Sequence, residues 1–433
     1  MVVIGGIIGS GIFLNPAIVA QRVGTWALTI FSWVLGGLIA LLGAFCYAEL
    51  GNRMPRVGGG YAYLRDAFGP LPAFLYGWAL LLVISTGAIA AVAVTFARYA
   101  APFFGLGERA TVPLAALAIV VLSAVNYVGV KPGAVTQNVF TVLKLAALAA
   151  LITAGLASVP VAPPPAAAGI GAPSGAGGIF VAVGAALVPI LFAYGGWQQS
   201  NFIAEEIVDV ERTLPRAILL GTAAVVAVYV LANLAYLRTL GVHGLAASGA
   251  PAADVMASAV GPVGQKLIAA GIAASTFGFL NLVILVTPRV YQAMAADRVF
   301  LPQLARLHPT YRTPTPAIVL QGAWAIVLTL SGTYGQLLDY VVFGDWIFFG
   351  LTAATLFVYR SRERRGGAVG TSGFRAPFFP LTPALFALAA VYVVASSVAS
   401  NPKNAAIGAG LLLLGVPVFL FWRGRAGARV SRG

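Results

Sequence analysis

What limits the fold most is a succession of apolar stretches, most of them about 20 residues or longer, running from one end of the chain to the other. A stretch of that length crosses the roughly 30 Å hydrocarbon core of a bilayer as a helix, whereas membrane barrels use strands of about ten residues with alternating polarity. Twelve segments can be drawn, at about 1–21, 26–50, 71–100, 112–130, 134–158, 179–206, 215–237, 255–287, 317–332, 336–359, 379–399 and 405–422. With 60% hydrophobic residues, 9% charged residues and a mean hydropathy of +0.93, no soluble fold hides this much apolar surface. The expected class is an all-α polytopic membrane protein.

A net charge of +14 would point to nucleic acid in a soluble protein, so the Lys and Arg must be located before they are interpreted. With both termini in the cytoplasm, 19 of the 26 fall on inner connections, among them Arg53, Arg65, Arg289, Arg360 and Arg364. Arg22, Arg98, Arg109, Arg238, Lys266 and Lys403 fall outside, and Lys144 lies within a span. That asymmetry follows the positive-inside rule. The charge then reflects topology and attraction to anionic membrane lipid, with no nucleic-acid partner.

The single cysteine, Cys46, excludes an internal disulfide, and the two distant histidines, His243 and His308, make no metal cluster. No metal or cofactor is expected. Met1-Val2-Val3 has neither a basic n-region nor a cleavage site, so a shortened N-terminus is expected rather than a signal peptide. The stretch from Val159 to Gly178 is uncharged and rich in Pro, Ala and Gly, which reads as a flexible surface loop. The basic, mildly amphipathic loop 297–314 is expected along the inner membrane surface.

Two segments carry defects. Gly9-Ser10-Gly11-Ile12-Phe13-Leu14-Asn15-Pro16 lies inside the first, and Pro189 with Gly195-Gly196-Trp197 lies inside the sixth. Glycine and proline weaken the helical ladder where a broken ladder is most costly, and irregular backbone at membrane depth is tolerated where it lines a cavity. The bland alternative is that these glycines only allow close helix packing. Matching positions in two five-helix sets point instead to an inverted-repeat transporter with its site at the midplane. On that reading the first repeat covers 1–158, the second 179–360, and two further helices occupy 379–422.

Two charges sit deep in spans. Lys144 lies ten residues into its segment, or roughly 15 Å deep, where an ammonium needs carbonyls, hydroxyls or a carboxylate around it. Asp345 has three readings open: pairing with a cation, holding a proton, or facing a wet vestibule. Glu205 and Glu206 read as a solvated cap or gate pair. Trp26, Trp78 and Trp422 suit the interfacial belt, as Tyr236 does on its own sequence context. Phe192 and Trp197 flank the second break and are placed to cover a ligand.

The runs IIGSGIFLNP, FAYGGWQQSNFIAEEIVDVERTLPRAI, LANLAYLRTL, STFGFLN and ARLHPTYRTPTPAIVLQG resemble the amino acid–polyamine–organocation (APC) superfamily, in its L-type amino acid transporter branch and bacterial relatives. The resemblance covers nearly the whole chain. It implies a LeuT-type fold with discontinuous first and sixth helices, twelve spans, and a bacterial inner-membrane location. It also implies that Ser10 and Gly11, with Ile7 nearby, meet a substrate carboxylate, and that carbonyls of Ile7, Phe192, Ala193 and Gly195 meet its ammonium. Phe192 matches the aromatic that closes over substrate. Lys144 matches a fifth-helix lysine in place of a sodium ion, with Ser275 and Thr276 as the local oxygens. Tyr236 matches a tyrosine linked to the first helix.

Gln198 departs from the Asn of several mammalian members, and it joins Asn281 and Asp345 as a further candidate. Without a cysteine in the loop after the third segment, the disulfide to a heavy subunit seen in animal complexes has no partner here. The expectation is a permease for neutral amino acids, sodium-independent and exchanging, with no enzymatic role. Proton-coupled symport and a transport-inactive sensor are the alternatives.

Overall fold

In the computed structural model, residues 1–160, 171, 173–331, 334–367 and 373–430 are described. The expected Pro/Ala/Gly loop therefore lies largely outside them. The first five helices are α1 (Val2–Ile7), α2 (Gly11–Val23), α3 (Trp26–Arg53), α4 (Gly60–Phe68) and α5 (Pro70–Ala79). A π-helical segment, Leu80–Ile84, joins α5 to α6 (Ser85–Ala100), followed by α7 (Thr111–Val128), α8 (Val130–Ala157) and α9 (Gly175–Tyr194). A 3-10 segment, Trp197–Glu206, precedes α10 (Val210–Ala247), α11 (Pro251–Val260), α12 (Pro262–Val286) and α13 (Pro288–Ala296). The remainder is α14 (Thr315–Ser331), α15 (Tyr334–Arg364), α16 (Leu381–Ser400), α17 (Pro402–Leu413) and α18 (Gly415–Val430).

Among the described residues, ten helical stretches are long and apolar enough to cross a membrane. Two of the twelve expected spans fall short of that length. The first is divided into α1 and α2, and the ninth is the shorter apolar helix Thr315–Leu330. The expected 255–287 span starts at Pro262 instead, because Gly261 (φ 80°) and Pro262 separate it from the short helix α11. Loop 297–314 holds one 3-10 turn, Pro302–Ala305, and is otherwise irregular, so it offers little helical face to a membrane surface.

Buried apolar side chains gather into two main clusters. One is built chiefly from α2, α3, α9, α10 and α15; the other is built chiefly from α5, α6, α7, α12, α13 and α14. Phe192 packs against both. The second break therefore lies, at Phe192, where the two clusters meet.

Prolines inside these helices each strip one backbone donor, leaving the carbonyl four residues earlier without its helical partner. In hydrocarbon that carbonyl needs another donor. Pro16 releases Ile12, whose carbonyl accepts from the Tyr236 hydroxyl at 3.1 Å. Pro189 releases Ala185, which accepts from the Arg22 guanidinium. Pro215 releases Glu211, which accepts from Asn52 Nδ2 at 2.5 Å. Each defect is thus repaired by a different helix and becomes a tie between helices.

Candidate functional site

The first break falls between α1 and α2. Ile8 is extended (φ −76°, ψ 97°) and Gly9-Ser10 bend before α2 begins. The second falls at Gly195 (φ −66°, ψ 159°) and Gly196 (φ 113°), after which the chain restarts as the 3-10 segment. The two touch through backbone. A side chain on Gly196 would run into the Gly6 carbonyl, and a Cβ on Gly11 would lie 2.6 Å from that of Ala193. Only glycine permits such an approach, and Gly196 also holds a left-handed φ that other residues avoid.

Between the breaks lies a cavity of ≈ 50 Å³. Its wall includes Ile7, Ser10 and Gly11 from the first break and Phe192, Ala193 and Gly195 from the second. All six residues expected to meet substrate therefore share one surface. The start of α2 offers N–H groups that no helical turn satisfies, which suits an anion, and the second break offers carbonyls, which suit a cation. A small zwitterion matches that polarity.

Lys144 is fully buried on α8, its Nζ donating to the carbonyls of Ile8 at 2.5 Å and Gly5 at 3.0 Å. Those carbonyls lie at the C-terminal end of α1, where helical partners run out and a cation is favoured. Ser275 Oγ adds donations to Gly9 O (3.3 Å) and Ile8 O (3.5 Å). Thr276 does not join them. Its hydroxyl donates back to Ile272 and Ala273 on its own helix.

Tyr236 is buried and turned inward, which corrects the interfacial position its sequence context suggested. Seven residues earlier on α10, Tyr229 donates to the Ile7 carbonyl at 3.2 Å. Two helical turns separate these tyrosines, so one face of α10 holds both sides of the break. Sequence reasoning missed Tyr229, although the seven-residue spacing was its available signal.

Gln198 lines the cavity and caps the second break, its Oε1 accepting from Gly196 N at 2.9 Å. Asn281 lies away from the cavity; it donates to Gly133 O (2.9 Å) and accepts from Asn126 (3.0 Å), tying α12 to α7 and α8. Trp197 packs against Tyr47, Phe349 and Phe386 rather than over the cavity. Asp345 does line the cavity, and its Oδ1 is buried with no hydrogen-bond partner among the described residues. The π-helical segment, which the sequence did not foreshadow, contributes Leu80 and Ile84 to the wall, and its Leu82 carbonyl accepts from Trp324 Nε1 at 3.0 Å.

On the arginine-rich face, charged side chains latch the elements below the breaks. Glu206 pairs with Arg289 at 3.1 Å, Glu205 accepts from Val57 N at 3.1 Å, and Asp297 pairs with Arg65 and accepts from Tyr61 at 2.7 Å. The two glutamates are exposed, and each also ties its segment to a neighbour. On the opposite face a vestibule of ≈ 430 Å³ is bounded in part by Leu14, Gln21, Arg98 and Tyr99.

The profile of the amino acid permease family matches residues 1–421. The chain belongs to the amino acid permease family. Relatives of this permease include the serine/threonine exchanger SteT of Bacillus subtilis, 32% identical over 96% of this chain and 93% of the relative. The human cystine/glutamate transporter is 32% identical over 97% and 84%, and the mouse large neutral amino acids transporter small subunit 2 is 32% identical over 98% and 80%. The permease is accordingly a member of the APC superfamily with a LeuT-type fold, and a multi-pass membrane transporter rather than an enzyme. Its one cysteine, Cys46, is buried in α3 and unavailable to a disulfide partner.

Proposed function

We propose that this permease exchanges neutral amino acids across a bacterial inner membrane by alternating access, without sodium. The observation that carries the reading is one cavity walled by residues of both breaks, where a helix start suits an anion and carbonyls freed from a helix suit a cation. Ser10 and Gly11 receive the carboxylate, carbonyls of Ile7, Phe192, Ala193 and Gly195 receive the ammonium, and Phe192 closes over the ligand. Lys144 supports sodium independence, since its ammonium already occupies the carbonyls that a coordinated cation would need. The names of SteT, an exchanger of serine and threonine, and of the large neutral amino acids transporter support exchange and neutral substrates. The excess of arginine on one set of connections supports a cytoplasmic position for both termini. The two five-helix sets, 1–158 and 179–360, are assigned as inverted repeats.

Counterflow in proteoliposomes with a panel of amino acids tests this. Labelled substrate should enter only vesicles preloaded with amino acid, at the same rate when sodium is replaced by choline. Uptake into empty vesicles that needs an imposed sodium gradient would sink the proposal. Uptake into empty vesicles driven by a pH gradient would favour proton-coupled symport, for which Asp345 or Lys144 is the available proton carrier.

A further inference from the structure

Nine tyrosines are buried among the described residues. A phenol hydroxyl in a dry interior usually finds a partner, and six of the nine do. Tyr194, Tyr229, Tyr236 and Tyr359 donate to backbone carbonyls, Tyr61 donates to Asp297, and Tyr63 accepts from Asn201 Nδ2 at 3.0 Å. The hydroxyls of Tyr47, Tyr76 and Tyr291 reach no partner among the described residues.

These three exceptions stand together. The Tyr76 hydroxyl lies within electrostatic range of Tyr47, Tyr291 and Asp345 at once. The Tyr47 hydroxyl faces Thr352, and that of Tyr291 faces Ser85, in neither case within hydrogen-bond geometry. Thr352 Oγ1 and Asp345 Oδ1 are likewise without partners, and at seven residues apart they share one face of α15. A hydroxyl turns to suit any neighbour in reach, so five such oxygens that fail to pair stand too far apart for direct bonds. The rings are fixed in place: Tyr76 packs on Phe348 at 5.2 Å, and Tyr47 on Trp197 at 5.0 Å and Phe349 at 6.0 Å.

We infer that a chamber of bound water lies between α3, α5, α13 and α15, bridging the hydroxyls of Tyr47, Tyr76, Tyr291 and Thr352 to Asp345. Buried polar groups too widely spaced for a direct bond are joined in this way, and one water makes about three hydrogen bonds, so a few satisfy the whole set. The chamber is separate from the cavity between the breaks, whose wall includes none of the three tyrosines and not Thr352. Tyr47 belongs to the first apolar cluster, whereas Tyr76 and Tyr291 belong to the second. The water thus joins the two clusters where these side chains make no direct bond. It also gives Asp345 Oδ1 a donor that does not depend on which solute the cavity carries.

Radiolytic hydroxyl-radical footprinting of the intact protein in detergent tests this, because radicals formed from water bound in place attack a neighbouring ring that bulk solvent does not reach. Tyr47, Tyr76 and Tyr291 should be oxidised several-fold faster than Tyr194 and Tyr236, which are as deeply buried but donate to carbonyls. Equal rates overturn the inference. The sign of a substitution gives a second readout. Deleting an unpartnered hydroxyl from a dry site removes a desolvation penalty, whereas deleting one bound to water loses a hydrogen bond. Tyr76→Phe and Thr352→Val should therefore each lower the thermal midpoint in detergent, and a raised or unchanged midpoint in both overturns the inference in favour of a dry gap. A wild-type midpoint that rises in sodium or potassium chloride over choline chloride at equal ionic strength also overturns it, in favour of a bound cation.

Discussion

Lys144 concentrates the chemistry of the first break into one side chain. Removing its ammonium leaves the Gly5 carbonyl buried without that donor and the Ile8 carbonyl with only the longer contact from Ser275, a loss of about 1–3 kcal/mol for a group left unsatisfied. Lys144→Met should therefore lower the initial rate of counterflow by about tenfold or more, through misplacement of the backbone that grips substrate. Rates normalised to protein in the vesicle membrane check this, and wild-type exchange in the variant would remove the lysine from the mechanism. Tyr236→Phe deletes only a hydroxyl, but it strands the carbonyl that Pro16 has already deprived of a donor. A destabilisation of about 1–3 kcal/mol is expected, read as a lowered thermal midpoint in detergent. If the midpoint stays at the wild-type value, the link between Pro16 and Tyr236 carries no stability.

At the scale of elements, the two breaks depend on glycine for their contact. Gly196→Ala combines a left-handed φ of 113° with a side chain driven into the Gly6 carbonyl, so the 3-10 segment and α1 must part. Exchange should be lost and the thermal midpoint lowered. Gly241 makes the useful comparison: its φ is also positive, at 65°, yet nothing lies within 4 Å of a Cβ placed there. Gly241→Ala should cost only the roughly 1–3 kcal/mol of backbone strain at a conformation (ψ 174°) that glycine alone adopts readily, and keep exchange. Similar behaviour of the two variants in counterflow would show that close approach of the breaks is unnecessary. The same scale explains why three prolines are tolerated inside helices, since Tyr236, Arg22 and Asn52 each reach across from another element to the released carbonyl.

Across the whole molecule, two buried apolar clusters meet beside the cavity and charged pairs tie helices together on the arginine-rich face. Glu49, fully buried on α3, joins Arg360 of α15 and the backbone at Ala376. Breaking such a buried pair from one side costs about 3–5 kcal/mol, because the guanidinium stays buried without its partner. The Arg362–Asp66 pair is about 40% exposed on both sides (42% and 41%), where a pair contributes roughly 1 kcal/mol at most. Glu49→Gln should therefore lower the thermal midpoint in detergent far more than Asp66→Asn, and the reverse order would contradict this account of the latch.

The sequence by itself determined the class of molecule, the approximate span boundaries and the positions of both breaks. Each of these is local: apolar length, and Gly or Pro where a helix cannot continue, need no knowledge of neighbours. The depth of Lys144 was legible in the same way. Partnerships were a matter for the tertiary structure alone. It turned Tyr236 inward, sent the Thr276 hydroxyl back to its own helix while Ser275 reached the first break, set Asn281 between helices, and left Asp345 Oδ1 buried without a donor among the described residues. The physical reason is that lipid and protein interior are equally apolar, so a spanning helix carries no amphipathic stripe to announce which face meets a neighbour. Only packing assigns the faces, and with them the hydrogen-bond partners.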